Sequence, residues 1–439
     1  MSSAPDMNAQ MDSKLVDSLL TVNQLSYRMP PAINIANKVT HTIQYSQQAS
    51  YDGGSTMIWD LQTGNSFIDA NCSYLRFVVT PSDGTHCFGS GSAASLFERV
   101  IIRSRTGKEL SRVENSNLLS KFMDRYQKSE EWLRTVGKAQ GYSVRNQATA
   151  AAVYADAVPA TGKLFVIPLC AIFPCFNLIG SKLIPPQVAS GLRVEIRLAS
   201  PNDAFCSVDQ STKLTLASYI VSKPEMHVKE YTLNDNFQRA ISEMANQGLN
   251  LLYKEHYNTI VSQTTNQINY DIKKAVSKAL KLSVITRKNA DLSTAGADRF
   301  ASLPYNFEKI QSNCGSDYVP NQPLSIDGAV TADNVNEAYY YCLEEADKLE
   351  YWNTTSVNPA QFLGRENDGT VADVFSNGMV CFSYNRSNTS QLAGYTISNS
   401  RALLVNLTQQ GAAVSVRLDT FLTYLRLAKC MNTNTLVLD

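Results

Sequence analysis

Residues 162–200 read GKLFVIPLCAIFPCFNLIGSKLIPPQVASGLRVEIRLAS, and this stretch decides the fold. Its opening, Lys163 to Leu169, is an apolar run of Leu, Phe, Val and Ile that predicts a strand. Pro168 sits near its end, where a missing N–H does least harm. Its close, Leu192 to Leu198, alternates strictly. Leu192, Val194, Ile196 and Leu198 fall on one side, and Arg193, Glu195 and Arg197 on the other. That is the period of a strand with one buried and one wet face. Between them, Pro185-Pro186 suits neither a strand nor a helix interior and predicts an extended turn. No catalytic group is needed to explain any of it.

The whole chain has 439 residues, enough for two or three domains. Apolar residues make up 44%, which allows a sizeable core; charged residues make up 18%, below the ~25% of an average globular domain, and the net charge is zero. Without a basic surplus, sequence-specific nucleic acid is not an expected partner. No run of about 18 apolar residues occurs, so no transmembrane segment is expected. The polar opening MSSAPDMNAQMDSK predicts no secretory signal. Cys72, Cys87, Cys170, Cys175, Cys206, Cys314, Cys342, Cys381 and Cys430 are scattered and form no CxxC pair. They read as reduced thiols of a protein made in the cytosol or nucleus. The sequons at Asn71, Asn353, Asn385, Asn388 and Asn406 then read as chance.

Working outward, residues 1–40 read as an arm. Leu15, Val16, Leu19, Leu20 and Val22 recur near helical spacing, and Met29-Pro30-Pro31 stops the pattern. Such an arm docks on a neighbouring subunit or on its own body. Strands are expected at His41–Ser46, Met57–Leu61, Tyr74–Thr80 and Phe97–Ser104. A helix follows from Val113, with Leu118, Leu119, Phe122, Met123 and Tyr126 on one face and Trp132-Leu133 continuing it. Residues 137–161 are small and polar and predict an exposed loop. Leu214–Ser222 predicts the last strand of this half, extended by Met226–Tyr231.

Residues 234–247 carry Phe237, Ile241 and Met244 at helical spacing, with Asn234 as N-cap and Gly248 as stop. Strand patterns then resume at Leu249–Tyr253, Gln267–Tyr270 and Leu280–Thr286. Residues 288–335 are rich in Asn, Asp and Gly and predict a long insertion; Asn336–Leu349 predicts a helix. MVCFSY at 379–384, a crossover, Ala402–Leu407 and Val414–Leu427 complete the chain. Each half thus has early strands, an insertion with a helix, a strand–crossover–strand unit and a long final strand. The repeat of about 190–200 residues is too long for a solenoid unit. Short strands without βαβ alternation fit jelly rolls. The expected fold is all-β: two tandem eight-stranded jelly-roll barrels with helical insertions. The expected limits are an arm over 1–40, a first jelly roll over 41–233, a linker helix over 234–247 and a second jelly roll over 248–439.

Catalytic, cofactor and metal sites find no support. His41, His86, His227 and His256 have no metal-ligand spacing. No G-x-S-x-G occurs, and Gly89-Ser90-Gly91 lacks the third glycine of a phosphate loop. Cys170 and Cys175 read as core-lining thiols. Glu130-Glu131 and Glu344-Glu345 are adjacent on helices and do not face each other. Arg99, Arg103 and Arg105 read as a solvated sheet face, with an acidic partner or nucleic acid as the alternative. No enzyme is expected. An enzyme on this scaffold, a glycan-processing one, needs two carboxylates about 5–9.5 Å apart between the barrels. A glycan-binding module needs exposed aromatics, and Trp59, Trp132 and Trp352 are few.

The run FVIPL…KLIPPQVASGLRVEIRLAS resembles the matching region of double jelly-roll major capsid proteins, the lineage of adenovirus hexons, polinton-like viruses, virophages and tailless membrane-containing phages. FEKIQSNCGSDYVPNQPLSIDG…NEAYYYCLEEADKL, AGYTISNSRALLVNLTQ and FLTYLRLAKCMNTNTLVLD carry the resemblance through the second half, so that it spans about residues 45–439. It implies a structural protein of the virion, synthesised in the host cytoplasm or nucleus. Three chains would form a pseudo-hexagonal homotrimeric capsomer of an icosahedral shell. Partners would be neighbouring capsomers, reached in part through the N-terminal arm, and penton and minor capsid proteins. Residues 137–161 and 288–335 would form loops at the outward end.

Overall fold

The computed structural model describes residues 36–89, 92–142, 156–179, 183–209, 212–302, 306–327, 335–346, 354–359, 362, 377–384, 394–398, 401–430 and 435–438. The expected arm helix over 12–25 lies outside these, as do most of 137–161, most of the 386–400 crossover, and Trp352.

The first half supplies β1 (Ala36–Tyr45), β2 (Thr56–Asp60), β3 (Phe67–Pro81), β4 (Phe97–Arg103), β5 (Glu109–Glu114), β6 (Lys163–Pro168), β7 (Arg193–Leu198) and β8 (Tyr219–Leu233). The second supplies β9 (Leu249–Gln263), β10 (Gln267–Ile272), β11 (Val276–Lys288), β12 (Asn306–Cys314), β13 (Asp317–Asp327), β14 (Val380–Ser383), β15 (Leu403–Gln409) and β16 (Val416–Cys430). Each set folds into two sheets. Their orders are β1-β8-β3-β6 and β2-β7-β4-β5, then β9-β16-β11-β14 and β10-β15-β12-β13. Adding eight to every label of the first pair of sheets gives the second pair, so the duplicated pattern is a duplicated topology. The pairings are antiparallel and the fold is a double jelly roll. A helix, α1 (Ser116–Gln127), is inserted between β5 and β6. The next, α2 (Asp235–Gln247), joins the two sets of strands, and Gly248 follows it at φ +97°. The third, α3 (Asn336–Glu345), lies between β13 and β14, the position equivalent to that of α1.

Residues 162–200 work as their alternation dictates, with one addition: β6 and β7 belong to opposite sheets of the first barrel. Phe165 and Ile167 of β6 point inward with Leu75, Phe77 and Val79 of β3. Val194, Ile196 and Leu198 of β7 meet them from the other side with Met57, Trp59, Val100 and Ile102. The crossover is not wholly extended. Pro185 is extended, but Pro186 opens a helical turn to Ala189, since proline's fixed φ and missing N–H suit a first helical position.

Two further expectations are corrected. Leu214–Ser218 precedes β8, which begins at Tyr219. Residues 288–335 are not an outward loop, because β12 and β13 run through them. Register shifts after Phe307 and Ile310 break the period-2 pattern of β12, and Pro320 and Pro323 weaken the strand signal of β13. As an edge strand, β13 tolerates prolines.

Adjacent residues of β7 test this alternation. Ile196→Ala, in the core, costs about 2–5 kcal/mol in chemical denaturation. Arg197→Ala, which breaks a half-exposed pair with Glu98, costs less than about 1 kcal/mol.

Candidate functional site

The two barrels are joined by side chains of the α1 insertion and by the edge of β5. Helix α1 buries Leu118, Phe122 and Tyr126. Its residues lie over the outer face of the β9-β16-β11-β14 sheet. Lys121 Nζ, fully buried, donates to the Phe300 carbonyl at 2.7 Å, and Tyr126 Oη to the Asn377 carbonyl at 2.9 Å. Asn115, just ahead of the helix, donates to Asn258 at 2.9 Å. Covered in this way, β16 is buried on both faces. Leu418 and Leu422 fill the barrel, while Asp419, Phe421, Thr423 and Leu425 are buried on the outside.

Polar groups complete the seam. The carbonyl of Leu110, on edge strand β5, accepts from Tyr253 Oη at 2.5 Å and from Arg426 at 2.8 Å. Ser111 donates to the buried Glu255 at 3.1 Å. Asp419 has no exposure and receives Arg287 at 2.6 Å and Arg417 at 3.0 Å. Arg287 also donates to the Arg299 carbonyl at 2.9 Å, and Arg299 pairs with Asp203 of the first barrel. Gly296, at φ +73°, is needed here: a Cβ would stand 2.2 Å from the Leu214 carbonyl oxygen.

Beside the seam lies a cleft of about 730 Å³ between α1, the β6–β7 crossover and the outer faces of β9, β11 and β16. Lys128, Lys254, Lys281 and His256 line it, and Asp124 is the one carboxylate among the lining residues. Burial, with Lys254 and Lys281 nearby, lowers the pKa of His256 to about 4, and its Nδ1 meets Thr423 Oγ1 at 3.0 Å. Burial pushes the Asp124 carboxyl up to about 6, against the hydrogen bond from Tyr142 and the charges of Lys128 and Arg125. A single carboxylate of this kind does not make the acid pair of a glycosidase.

The outer faces of the first barrel differ from each other. On β2-β7-β4-β5, Arg103 and Arg193 converge on Glu195, Arg99 and Arg112 on Glu114, and Arg197 meets Glu98. This charge-laced surface suits water. On β1-β8-β3-β6, the counterpart of the sheet that α1 covers, the outward residues include Val39, Ile43, Tyr45, Ile220 and Leu164, all more than 40% exposed. Strand β1 is inverted. Its Thr40, Thr42 and Gln44 lie opposite the buried Glu230, Val228 and Met226, and its apolar residues point outward.

The residues weighed from sequence fall into these surroundings. His41 lies on the exposed sheet face and His227 stacks on Tyr74 with centroids 4.7 Å apart. His86 is buried, its ring nitrogens 2.6 Å from Asp83 and 3.0 Å from the Leu214 carbonyl. Cys175 is buried and Cys170 half-buried. Among the described residues no group of three or more His, Cys, Asp or Glu could hold a metal ion. No helix among them is long and apolar enough to cross a membrane. Sequence reasoning missed the double burial of β16, although the run Phe421–Leu427, with little alternation, signals it. It also missed the Arg287–Asp419–Arg417 group, in which Arg287 reaches Asp419 only through sheet pairing.

No protein-family model and no curated protein matches the sequence. Solved structures do match. A chain in the cryo-EM structure of the Sputnik virophage has a TM-score of 0.59 at 11% identity, with 94% of this chain and 90% of that one covered. The Faustovirus major capsid protein gives 0.58 at 9% identity, over 96% and 94%. The mavirus major capsid protein gives 0.55 at 11% identity, over 100% and 95%. What this chain shares with them is the fold.

Two outcomes test the seam. Asp419→Ala strands Arg287 without its buried counter-charge and lowers stability by about 3–5 kcal/mol in thermal or denaturant unfolding. The second outcome concerns pH. The folded state holds the Asp124 proton above the ordinary carboxylate range, so ionising it costs stability as pH rises from about 4 to about 6, and in full above that. Asp124→Asn therefore raises Tm by about 2–5 °C near pH 7.5 and leaves it unchanged near pH 4. His256 acts in the opposite sense, since stability drains through it as pH falls from about 6.5 toward 4.

Proposed function

We propose that this chain is a major capsid protein whose three copies close into a pseudo-hexagonal capsomer of an icosahedral viral shell. The observation that carries the reading is the unequal treatment of two equivalent sheets. Within one chain, the outer face of β9-β16-β11-β14 is covered by the insertion of the first barrel, whereas the outer face of β1-β8-β3-β6 exposes Val39, Ile43, Tyr45, Ile220 and Leu164 around the Arg76–Glu225 pair. Repeating the first-to-second-barrel contact between copies, with a neighbour's second barrel on this bare face, is a head-to-tail association. Such an association closes into a ring when the rotation allows. Three chains of two barrels make a six-barrel ring. The fold shared with viral capsid proteins supports the same reading.

In this reading the working units are the arm over 1–40, whose last residues from Ala36 already pair in β1, the jelly rolls over 41–233 and 248–439, and the helix over 234–247 between them. The arm reaches neighbouring capsomers, and penton and minor capsid proteins complete the particle. The chain is a shell component and not an enzyme.

Light scattering on the purified full-length chain tests this, the expected result being a trimer at micromolar concentration. Ile43→Lys with Tyr45→Lys, on the bare face, reduces it to monomers of unchanged circular dichroism. Deleting residues 1–28 leaves the trimer and blocks shell formation in negative-stain images. A wild-type monomer at micromolar concentration overturns the reading.

A further inference from the structure

Cys87 and Cys206 lie directly opposite each other on a two-stranded ribbon, His86–Phe88 paired with Phe205–Ser207, at one end of the first barrel. Their sulfurs are 3.4 Å apart, and neither residue has any exposure. Residues opposed on antiparallel strands have Cα atoms about 4.5–5.5 Å apart. That lies inside the range of about 4.4–6.8 Å that a disulfide spans. The ribbon also touches the second half of the chain, because Ser207 N–H donates to the Gly296 carbonyl at 3.0 Å. We infer that Cys87 and Cys206 are an oxidation site, dithiol in the reducing cell and disulfide in a particle that has left it, and that the bond ties the two strands of this ribbon.

The oxidant class is peroxide, small enough to enter a closed site. One thiolate attacks hydrogen peroxide: an S–O bond forms, the O–O bond breaks, and the leaving hydroxide takes a proton to become water. The second thiolate attacks the resulting sulfenic sulfur. The S–S bond forms, the S–O bond breaks, and a second water leaves. Two thiols lose two electrons and one peroxide gains them. Burial keeps the dithiol unreactive on short timescales, and the contact with Cys87, then burial, holds the Cys206 thiol well above the ordinary range. The bond would join residues 119 apart in sequence, a long loop whose closure restricts the unfolded chain strongly. The use of the site in a released particle rests on the capsid reading; the chemistry does not.

The test is a peptide map of the full-length protein, in the assembly it forms, after exposure to hydrogen peroxide and alkylation in denaturant. The expected result is a linked peptide pair joining Cys87 to Cys206, with Tm raised by roughly 5–10 °C over the dithiol form. Cys87→Ser abolishes the pair and the shift; should that variant not fold, the wild-type map decides alone. Alkylation of both Cys87 and Cys206 after peroxide overturns the proposal. A monomer with the linked pair supports it and overturns the capsid reading, whereas trimers with both thiols alkylated overturn the pairing alone.

Discussion

The double burial of β16 is the constraint on which the rest of the molecule depends. A jelly roll buries the inner faces of its two sheets and leaves the outer faces to water. Here Phe421 and Leu425, on the outer face of the β9-β16-β11-β14 sheet, are apolar and cannot be left to water. Something must cover them, and the insertion after β5 of the first barrel does. The two barrels are therefore halves of one packed body. Buried apolar residues of both barrels join one continuous cluster that runs from Tyr51 to Ala428.

Apolar cover alone would leave the seam free to slide. Polar contacts at fixed positions set its register. The free carbonyl of Leu110 on an edge strand would be a liability exposed and a cost if buried unpaired; Tyr253 and Arg426 satisfy it together. Asp419 is tolerable without exposure because two guanidinium groups share its charge. The Leu110 carbonyl needs Tyr253 and Arg426 of the second barrel in one place, so these contacts select one arrangement of the barrels. The β1-β8-β3-β6 face stays exposed at Val39, Ile43, Tyr45, Ile220 and Leu164. Its Val39, Ile43 and Tyr45 project outward from a strand whose polar residues face the core, the reverse of a water-facing strand.

Much of this was legible in residues 162–200. The alternation Val194, Ile196, Leu198 against Arg193, Glu195, Arg197 depends only on the two-residue period of a strand, and it holds in the structure. So does the matching of this unit to 379–407, because equivalent positions in a repeated topology share the same burial. The Asn-, Asp- and Gly-rich stretch 288–335 misled for the opposite reason. Register shifts in β12 and prolines in β13 erase the period, and composition then looks like loop. Pro186 misled in a smaller way, since a first helical turn accepts the residue that a helix interior refuses.

The sequence by itself determined the strand periods and the tandem repeat, since these follow from local stereochemistry and from counting residues. Tertiary structure alone decided which faces are covered. Arg287 reaches Asp419 through strand pairing, Leu110 finds Tyr253 and Arg426 across barrels, and Cys87 meets Cys206 across a ribbon. Those contacts join residues more than a hundred positions apart. No local period encodes them, because which groups meet depends on how whole sheets stack.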